Sequence, residues 1–135
     1  MKGMQSIEYS DFMLLDTSAW IELFIGSEKG KRVKDVLYKE DSYTSIVTLA
    51  EVTNWALKGR RDVELLVKAI KQLSNIIGLD EDISVLAGKL NFERKKSNKN
   101  WGMLDSFILA SGSIYGLRIL TKDNDFKDIP DVEVL

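Results

Sequence analysis

The fold is decided by the stretch Met13-Leu14-Leu15-Asp16-Thr17-Ser18-Ala19-Trp20. An apolar run over residues 12–15 ends at an acid, two small hydroxyl residues follow, and an apolar pattern with helical spacing begins at Ile21. This pattern predicts a buried parallel strand, a tight turn and the start of a helix. In open α/β sheets, ligands bind at the carboxyl ends of the strands, so Asp16 is a candidate site residue. The alternative is that Asp16 only caps the helix that follows it.

The sequence contains neither cysteine nor histidine, and this absence excludes several kinds of chemistry. A disulfide, a thiolate nucleophile, a Cys/His zinc site and a Ser-His-Asp triad are all impossible. Catalysis would have to use carboxylates, hydroxyls, lysine, arginine or a metal held by oxygen, such as Mg²⁺ or Mn²⁺. The net charge of −2 argues against non-specific coating of nucleic acid, so any contact with nucleic acid must be local.

The length of 135 residues predicts one domain. Residues 1–11 have no apolar core, and we expect them to form a loose leader before a domain over residues 12–135. The chain has no apolar run of about 18 residues or more, so no transmembrane helix is predicted. The absence of a targeting pattern suggests the cytoplasm.

Short apolar runs alternate with amphipathic segments along the rest of the chain. Strands are predicted over residues 12–15, 42–46, 75–79, 118–121 and 132–135. Helices are predicted from Ile21, over residues 28–39, 49–58 and 63–73, from residues 80–82 through Leu90, and from Met103 or Leu104 to Gly116. The order β-α-α-β-α-α-β-α-α-β-β predicts an α/β fold, a single-domain α/β/α sandwich with a central, mainly parallel sheet.

Acidic residues recur where predicted strands end or where the following helices begin, namely Asp16, Glu51, Asp105 and the pair Asp123 and Asp125. These places lie on one edge of a parallel sheet, so we expect the side chains to converge. Two carboxylates about 4 Å apart repel by roughly 4 kcal/mol at an effective dielectric constant of about 20. A crevice with four of them requires a cation, and oxygen ligands suit Mg²⁺.

Each of these acids also has an ordinary structural explanation. Glu51 is placed to complete a capping box with Thr48. Asp105 could serve only the dipole of its helix. Either Asp123 or Asp125 could bond the backbone of its own turn.

A basic cluster precedes Asp105 in the chain. Its members are candidates for contacts with phosphates, and the alternative is a solvated helix end. The neighbouring Trp101 is a candidate for stacking on a base or for a place in the core. The cluster consists of Arg94, Lys95, Lys96 and Lys99.

Four segments of the chain resemble the PIN domain family, and in particular the small stand-alone VapC-type toxins of toxin–antitoxin pairs. Their order and spacing carry the resemblance, which covers residues 13–135. The segments are 15–21 (LDTSAWI), 45–52 (SIVTLAEV), 104–110 (LDSFILA) and 120–126 (LTKDNDF).

The resemblance implies a metal-dependent endoribonuclease that uses Mg²⁺ or Mn²⁺ to hydrolyse RNA. It also implies an antitoxin partner of the type II, VapBC-like kind, a homodimer and no membrane. The residues that match the metal-binding and catalytic positions of the family are Asp16, Glu51, Asp105 and either Asp123 or Asp125, with site-ordering hydroxyls at Thr17 and Thr121.

Two alternatives belong to other functional classes. The first is a PIN-like interaction domain without catalysis. The second is a receiver-type Mg²⁺-binding signalling domain, which needs a phosphorylated Asp at the end of a central strand, whereas residues 55–73 are predicted to be helical. A haloacid-dehalogenase-type phosphatase is disfavoured because Ser18 occupies the position of its second Asp.

Overall fold

The computed structural model describes residues 12–135, in which five strands and six α-helices follow the predicted order. The predicted leader over residues 1–11 lies outside the described residues. No helix in the described range is long and apolar enough to cross a membrane. The strands are β1 (Phe12–Leu15), β2 (Asp41–Ser45), β3 (Asn75–Ile77), β4 (Arg118–Thr121) and β5 (Val132–Val134). The helices are α1 (Thr17–Ile25), α2 (Glu28–Lys39), α3 (Ile46–Lys58), α4 (Val63–Leu73), α5 (Glu81–Lys95) and α6 (Met103–Tyr115), with a 3₁₀ turn at Asn124–Phe126.

All strand pairs of the sheet are parallel, in the order β3-β2-β1-β4-β5. The chain builds outward from β1 to β3, then returns to add β4 on the other side of β1. Ligands bind at such a switch point in open α/β sheets. Leu15 pairs with Leu120, and the Asp16 N–H donates to the Leu120 carbonyl oxygen at 2.9 Å. The register therefore places Asp16 beside Thr121.

Alternate side chains of β1 enter two separate cores, as the two-residue period of a strand requires. Met13 and Leu15 pack with residues of α1 to α4, whereas Leu14 packs with residues of α6 and the segment after β4. Helix α5 packs on α6. Because helices cover both faces of the sheet, the predicted α/β/α sandwich is confirmed. The first core also contains Trp20, Val36, Val52 and Ile70, and the second contains Trp101, Ile108, Ile119 and Phe126.

One difference from the predicted boundaries that bears on the site lies at α3. The helix begins at Ile46, not at Leu49, because the Ser45 hydroxyl caps it by accepting the backbone N–H two residues further on. The β-branched side chain at Ile46 favours a strand on sequence grounds. Thr48 therefore lies inside the helix and Glu51 in its second turn. The capping box considered for these two residues is wrong.

Candidate active site

The carboxylate of Asp16 is nearly buried and is held by two hydroxyl groups. Its Oδ2 accepts hydrogen bonds from Thr121 Oγ1 at 2.8 Å and from Ser18 Oγ at 3.0 Å. Asp16 occupies the N-cap position of α1, but its side chain makes no capping hydrogen bond. Burial raises the pKa of Asp16, and the hydroxyl hydrogen bonds oppose that rise. The side chain thus faces β4 instead of capping α1.

Glu51 is joined to α1 through Thr17. Thr17 Oγ1 donates to Glu51 Oε1 at 2.6 Å and lies 3.0 Å from the hydroxyl oxygen of Thr48, which is fully buried. Burial raises the pKa of Glu51, the Thr17 hydrogen bond lowers it, and the charge of Asp16 raises it further. The turn after β1 and helix α3 therefore meet at this carboxylate.

Asp105 is the third residue of α6, and its Oδ2 accepts the Gly102 N–H at 3.0 Å. Asp105 therefore lies at the start of its own helix, as the helix-dipole alternative requires, and it also hydrogen-bonds the backbone there. Burial raises the pKa of Asp105 to about 6; the Gly102 bond opposes this rise, and the charges of Asp16, Asp123 and Glu51 add to it. The charge of Asp105 therefore interacts with the charges of Asp16, Glu51 and Asp123.

Asp123 and Asp125 differ in how they relate to Asp16 and Asp105. The Asp123 N–H donates to Thr121 Oγ1 at 3.0 Å, and Asp123 Oδ1 accepts the Asp125 N–H at 2.9 Å. The charge of Asp123 raises the pKa of both Asp16 and Asp105, and Asp125 is not among the main causes for either group. Asp123 is the one of the two whose charge acts on Asp16 and Asp105, and this favours Asp123 as the fourth acid.

Asp16, Glu51, Asp105 and Asp123 form what we call the carboxylate cluster, and within residues 12–135 none of the four makes an ion pair with Lys or Arg. Lys122 is adjacent in sequence, but its Nζ pairs with Glu22 Oε2 at 3.3 Å on α1. Burial is the main cause of the raised pKa values of Asp16, Glu51 and Asp105, and the negative charges of neighbouring acids add to it.

The donor chemistry of the carboxylate cluster fits a hard divalent cation, because every side chain in it offers oxygen. In Glu51, Asp105 and Asp123 the hydrogen bond uses one carboxylate oxygen, so the other oxygen has no hydrogen-bond partner in the described part of the chain. As the side chains of residues 12–135 stand, no three acids are close enough together to hold one ion directly. The structure therefore shows donors at one edge of the sheet and not a formed coordination sphere.

Ser18 is a site residue that the sequence did not single out. Its hydroxyl donates to Asp16 Oδ2, lies 3.1 Å from Thr121 Oγ1 and accepts the Lys122 N–H at 2.9 Å. Only the register of β1 against β4 brings these groups together. The one signal in the sequence is that two small hydroxyl residues follow the first strand.

Arg94 differs from the lysines with which the sequence groups it. Its guanidinium lies over the Trp101 ring at 4.2 Å and donates to the Asp125 carbonyl oxygen at 3.0 Å and to Asp128 Oδ1 at 3.1 Å. These contacts engage the Arg94 guanidinium within the protein, and its contact with phosphate stays a prediction. Trp101 is fully buried, so it belongs to the core and not to a stacking surface. The remaining members of the basic cluster are exposed, and their contact with RNA stays a prediction: Lys95, Lys96 and Lys99.

The fold and the site together define the class of protein: a parallel α/β domain with acidic side chains at the switch point of its sheet. Comparison with known proteins gives the family. Residues 13–132 match the PIN domain, and the chain belongs to the PIN domain family. This confirms the resemblance carried by the four sequence segments. The membership also argues against the receiver-type alternative.

Individual relatives cover nearly the whole chain. Ribonuclease VapC4 of Mycobacterium tuberculosis is 30% identical over 126 residues, which are 90% of this chain and 94% of the relative. The solved toxin–antitoxin complex from Klebsiella pneumoniae contains a chain 28% identical, with a TM-score of 0.75, covering 90% of this chain and 96% of that one. The structure of VapBC-1 from nontypeable Haemophilus influenzae is 25% identical, with a TM-score of 0.67 and coverage of 92% and 96%.

Proposed function

We propose that this protein is a metal-dependent endoribonuclease and the toxin of a type II, VapBC-like toxin–antitoxin pair. The observation that carries the proposal is the carboxylate cluster, which has no counter-charge from Lys or Arg in the described residues. It lies at the switch point of the sheet, in a chain similar to a named ribonuclease and to chains of toxin–antitoxin complexes. RNA, an antitoxin and a second copy of the chain are the partners that this function implies, and the cytoplasm is its place of action.

The residues that would hold one or two Mg²⁺ or Mn²⁺ ions are those of the carboxylate cluster. A divalent ion bound there supplies an acidified water and stabilises the charge that develops on a phosphodiester during hydrolysis. The protein contributes orientation: Thr121 and Ser18 fix Asp16, and Thr17 fixes Glu51. Backbone amides fix the two remaining acids, so the donors are held before a substrate arrives.

RNA approaching this edge meets negative charge, so local positive charge has to offset the repulsion. Lys95, Lys96 and Lys99 are exposed at the end of α5 and in the segment that leads to α6. We assign to these lysines non-specific contacts with phosphates, which position a strand without selecting its sequence.

The first experiment is cleavage of a panel of single-stranded and structured RNAs by the purified protein in Mg²⁺, in Mn²⁺ and in EDTA. We expect cleavage that needs a metal and is lost in Asp105→Asn and Asp123→Asn. The matched control is Asp125→Asn, which removes a neighbouring carboxylate outside the carboxylate cluster and should keep activity. Loss of activity in Asp125→Asn with activity kept in Asp123→Asn would reverse the assignment of the fourth acid.

A separate result would contradict the proposal as a whole. If the wild-type protein cleaves no RNA of the panel and calorimetry with Mn²⁺ shows no binding, the acids serve only as caps and turn residues. The non-catalytic interaction domain is then the better description. Light scattering of the purified protein tests the homodimer independently of catalysis.

A further inference from the structure

Arg94 lies at the end of α5, where the segments that carry Asp105 and Asp123 come together. We propose that Arg94 is a positioning residue, which holds these two segments in register so that both carboxylates face the same metal ion. The proposal rests on the proposed function, because it assigns a role in a metal site.

The route from Arg94 to Asp123 passes through one residue of the turn after β4. Arg94 Nη2 donates to the carbonyl oxygen of Asp125 at 3.0 Å, and the N–H of Asp125 donates to Asp123 Oδ1 at 2.9 Å. The guanidinium therefore holds the carbonyl of the same residue whose N–H orients the Asp123 carboxylate, across two adjacent peptide units. The ion pair with Asp128 at 3.1 Å is a second anchor, but the Asp128 side chain is 67% exposed, so solvent screens it.

The route to Asp105 passes through the aromatic ring under the guanidinium. Trp101 is fully buried, and its Nε1 donates to Ser106 Oγ at 2.7 Å. Gly102, the next residue, donates its N–H to Asp105 Oδ2. The same ring packs against Phe126 of the 3₁₀ turn at 4.8 Å between centroids, so the two segments also contact each other here.

The environment of Arg94 differs from that of a phosphate-binding side chain. Its side chain is only 20% exposed, and its buried Nε has no hydrogen-bond partner among residues 12–135. Lys95 and Lys96, its neighbours in sequence, are exposed. A planar guanidinium can cover an aromatic face and donate in its own plane at the same time, whereas an ammonium on a flexible stem cannot do both.

The test compares Arg94→Lys and Arg94→Gln with the wild-type protein and with Lys95→Gln as a matched loss of charge. Mn²⁺ affinity is measured by calorimetry on the full chain, and RNA affinity is measured in EDTA at several salt concentrations. We expect both Arg94 variants to bind Mn²⁺ about tenfold more weakly or worse, as is typical when the support of a ligand is removed. Their RNA affinity and its salt dependence should be unchanged, whereas Lys95→Gln should show the opposite pattern.

Arg94→Lys is the decisive variant because it keeps the charge. Wild-type Mn²⁺ affinity in Arg94→Lys would overturn the inference while the proposed function stands. A loss of RNA affinity in Arg94→Gln that Arg94→Lys restores would also overturn it, since phosphate contact would then be the role. A wild-type protein that binds no Mn²⁺ would overturn the proposed function itself, and the inference with it.

Thermal unfolding of each variant separates misfolding from misplacement. Should Arg94→Gln fail to fold, Asp128→Asn provides the second comparison, because it removes the ion pair but keeps the contacts of Arg94 with Trp101 and Asp125. We expect Asp128→Asn to bind Mn²⁺ like the wild-type protein. An equal loss of affinity in Asp128→Asn and Arg94→Lys would assign the effect to the ion pair and contradict the proposal.

Discussion

The hydroxyl of Thr121 connects two parts of the carboxylate cluster that are far apart in the chain. It donates to Asp16 on one side and accepts the N–H of Asp123 on the other, and the residue is fully buried. A buried hydroxyl with two such partners is costly to lose, because both partners are left without a replacement from water.

Thr121→Val is therefore expected to destabilise the protein by about 1–3 kcal/mol. It should also weaken Mn²⁺ binding by about 10–100-fold, as for other supports of metal ligands. Thr121→Ser keeps the hydroxyl and should behave like the wild-type protein. Urea denaturation and a Mn²⁺ titration measure the two effects, and wild-type values for Thr121→Val in both would refute this role.

The raised pKa of Asp105 predicts how the stability of the metal-free protein changes with pH. An acid whose pKa is higher in the native state binds protons more readily there, so stability falls as pH rises from the ordinary value of 3.8 through about 6. Asp105→Asn still accepts a hydrogen bond from Gly102 but carries no charge. In EDTA it should melt above the wild-type protein at about pH 8, and the difference should shrink toward about pH 5. A difference in melting temperature that does not change with pH would argue against the buried charge of Asp105, and its repulsion by the neighbouring acids, as the cause.

At the residue scale, the acids were predicted from their places in the chain, the supporting hydroxyls of Thr17 and Thr121 only from the family resemblance, and that of Ser18 not at all. Asp16 follows from its place after a strand and Asp105 from its place at a helix start, whereas Glu51 was expected at a helix start and lies in the second turn of α3. The choice of Asp123 over Asp125 depends on how a short turn folds, and both side chains fit the sequence pattern equally. Ser18 could not be predicted from its local sequence because its partner Thr121 lies 103 residues away.

At the scale of elements, α1 and α2 approach closely at Gly30. A Cβ atom at this position would overlap the backbone carbonyl oxygen of Glu22. Ser27 caps α2 by accepting the Gly30 N–H at 3.1 Å and donates to the Glu22 carboxylate at 2.7 Å. Because Glu22 holds Lys122, this contact also supports the turn after β4.

Gly30→Ala should destabilise the protein by about 1–3 kcal/mol, because the backbone of α1 has to move. Gly88→Ala in the middle of α5 is the matched control, since no atom lies within 4 Å of its added Cβ. There the gain in helix propensity should stabilise by up to about 1 kcal/mol. Denaturant unfolding of both variants is the measurement, and equal effects would contradict the close approach of α1 and α2.

The exposed lysines at the end of α5 and in the segment before α6 are expected to contribute to RNA affinity. A variant with Lys95, Lys96 and Lys99 all changed to Gln should bind RNA more weakly, with Mn²⁺ affinity preserved. Each lost phosphate contact should reduce the slope of log affinity against log salt by about 0.7. RNA binding in EDTA at a series of salt concentrations measures it, and an unchanged slope would remove these lysines from the interface.

Element boundaries were predicted well where periodicity and capping agree. The bounds of α2 and α4 coincide with the predicted ranges, because an amphipathic pattern runs between Gly, Ser or Asp breaks in both. The start of α3 was missed because Ile46 and Val47 favour a strand locally, whereas the Ser45 cap and the packing on the sheet favour a helix.

At the scale of the whole molecule, a cation should act as a ligand of the native state. Mn²⁺ at about 100 times its dissociation constant stabilises a one-site protein by about 2.7 kcal/mol. The wild-type melting temperature should rise with Mn²⁺ concentration, as should that of Asp125→Asn. Asp105→Asn and Asp123→Asn should show little rise, and a rise equal to that of the wild-type protein would place the ion elsewhere.

The strand order has a consequence for how the protein is made. Asp16 and Glu51 are synthesised before Asp105 and Asp123, and β4 can join β1 only after Asp105 has been made. Until then, the growing chain carries only two of the four members of the carboxylate cluster and has no complete site for a metal ion. A ribonuclease built in this order cannot assemble its carboxylate cluster before Asp123 has been synthesised.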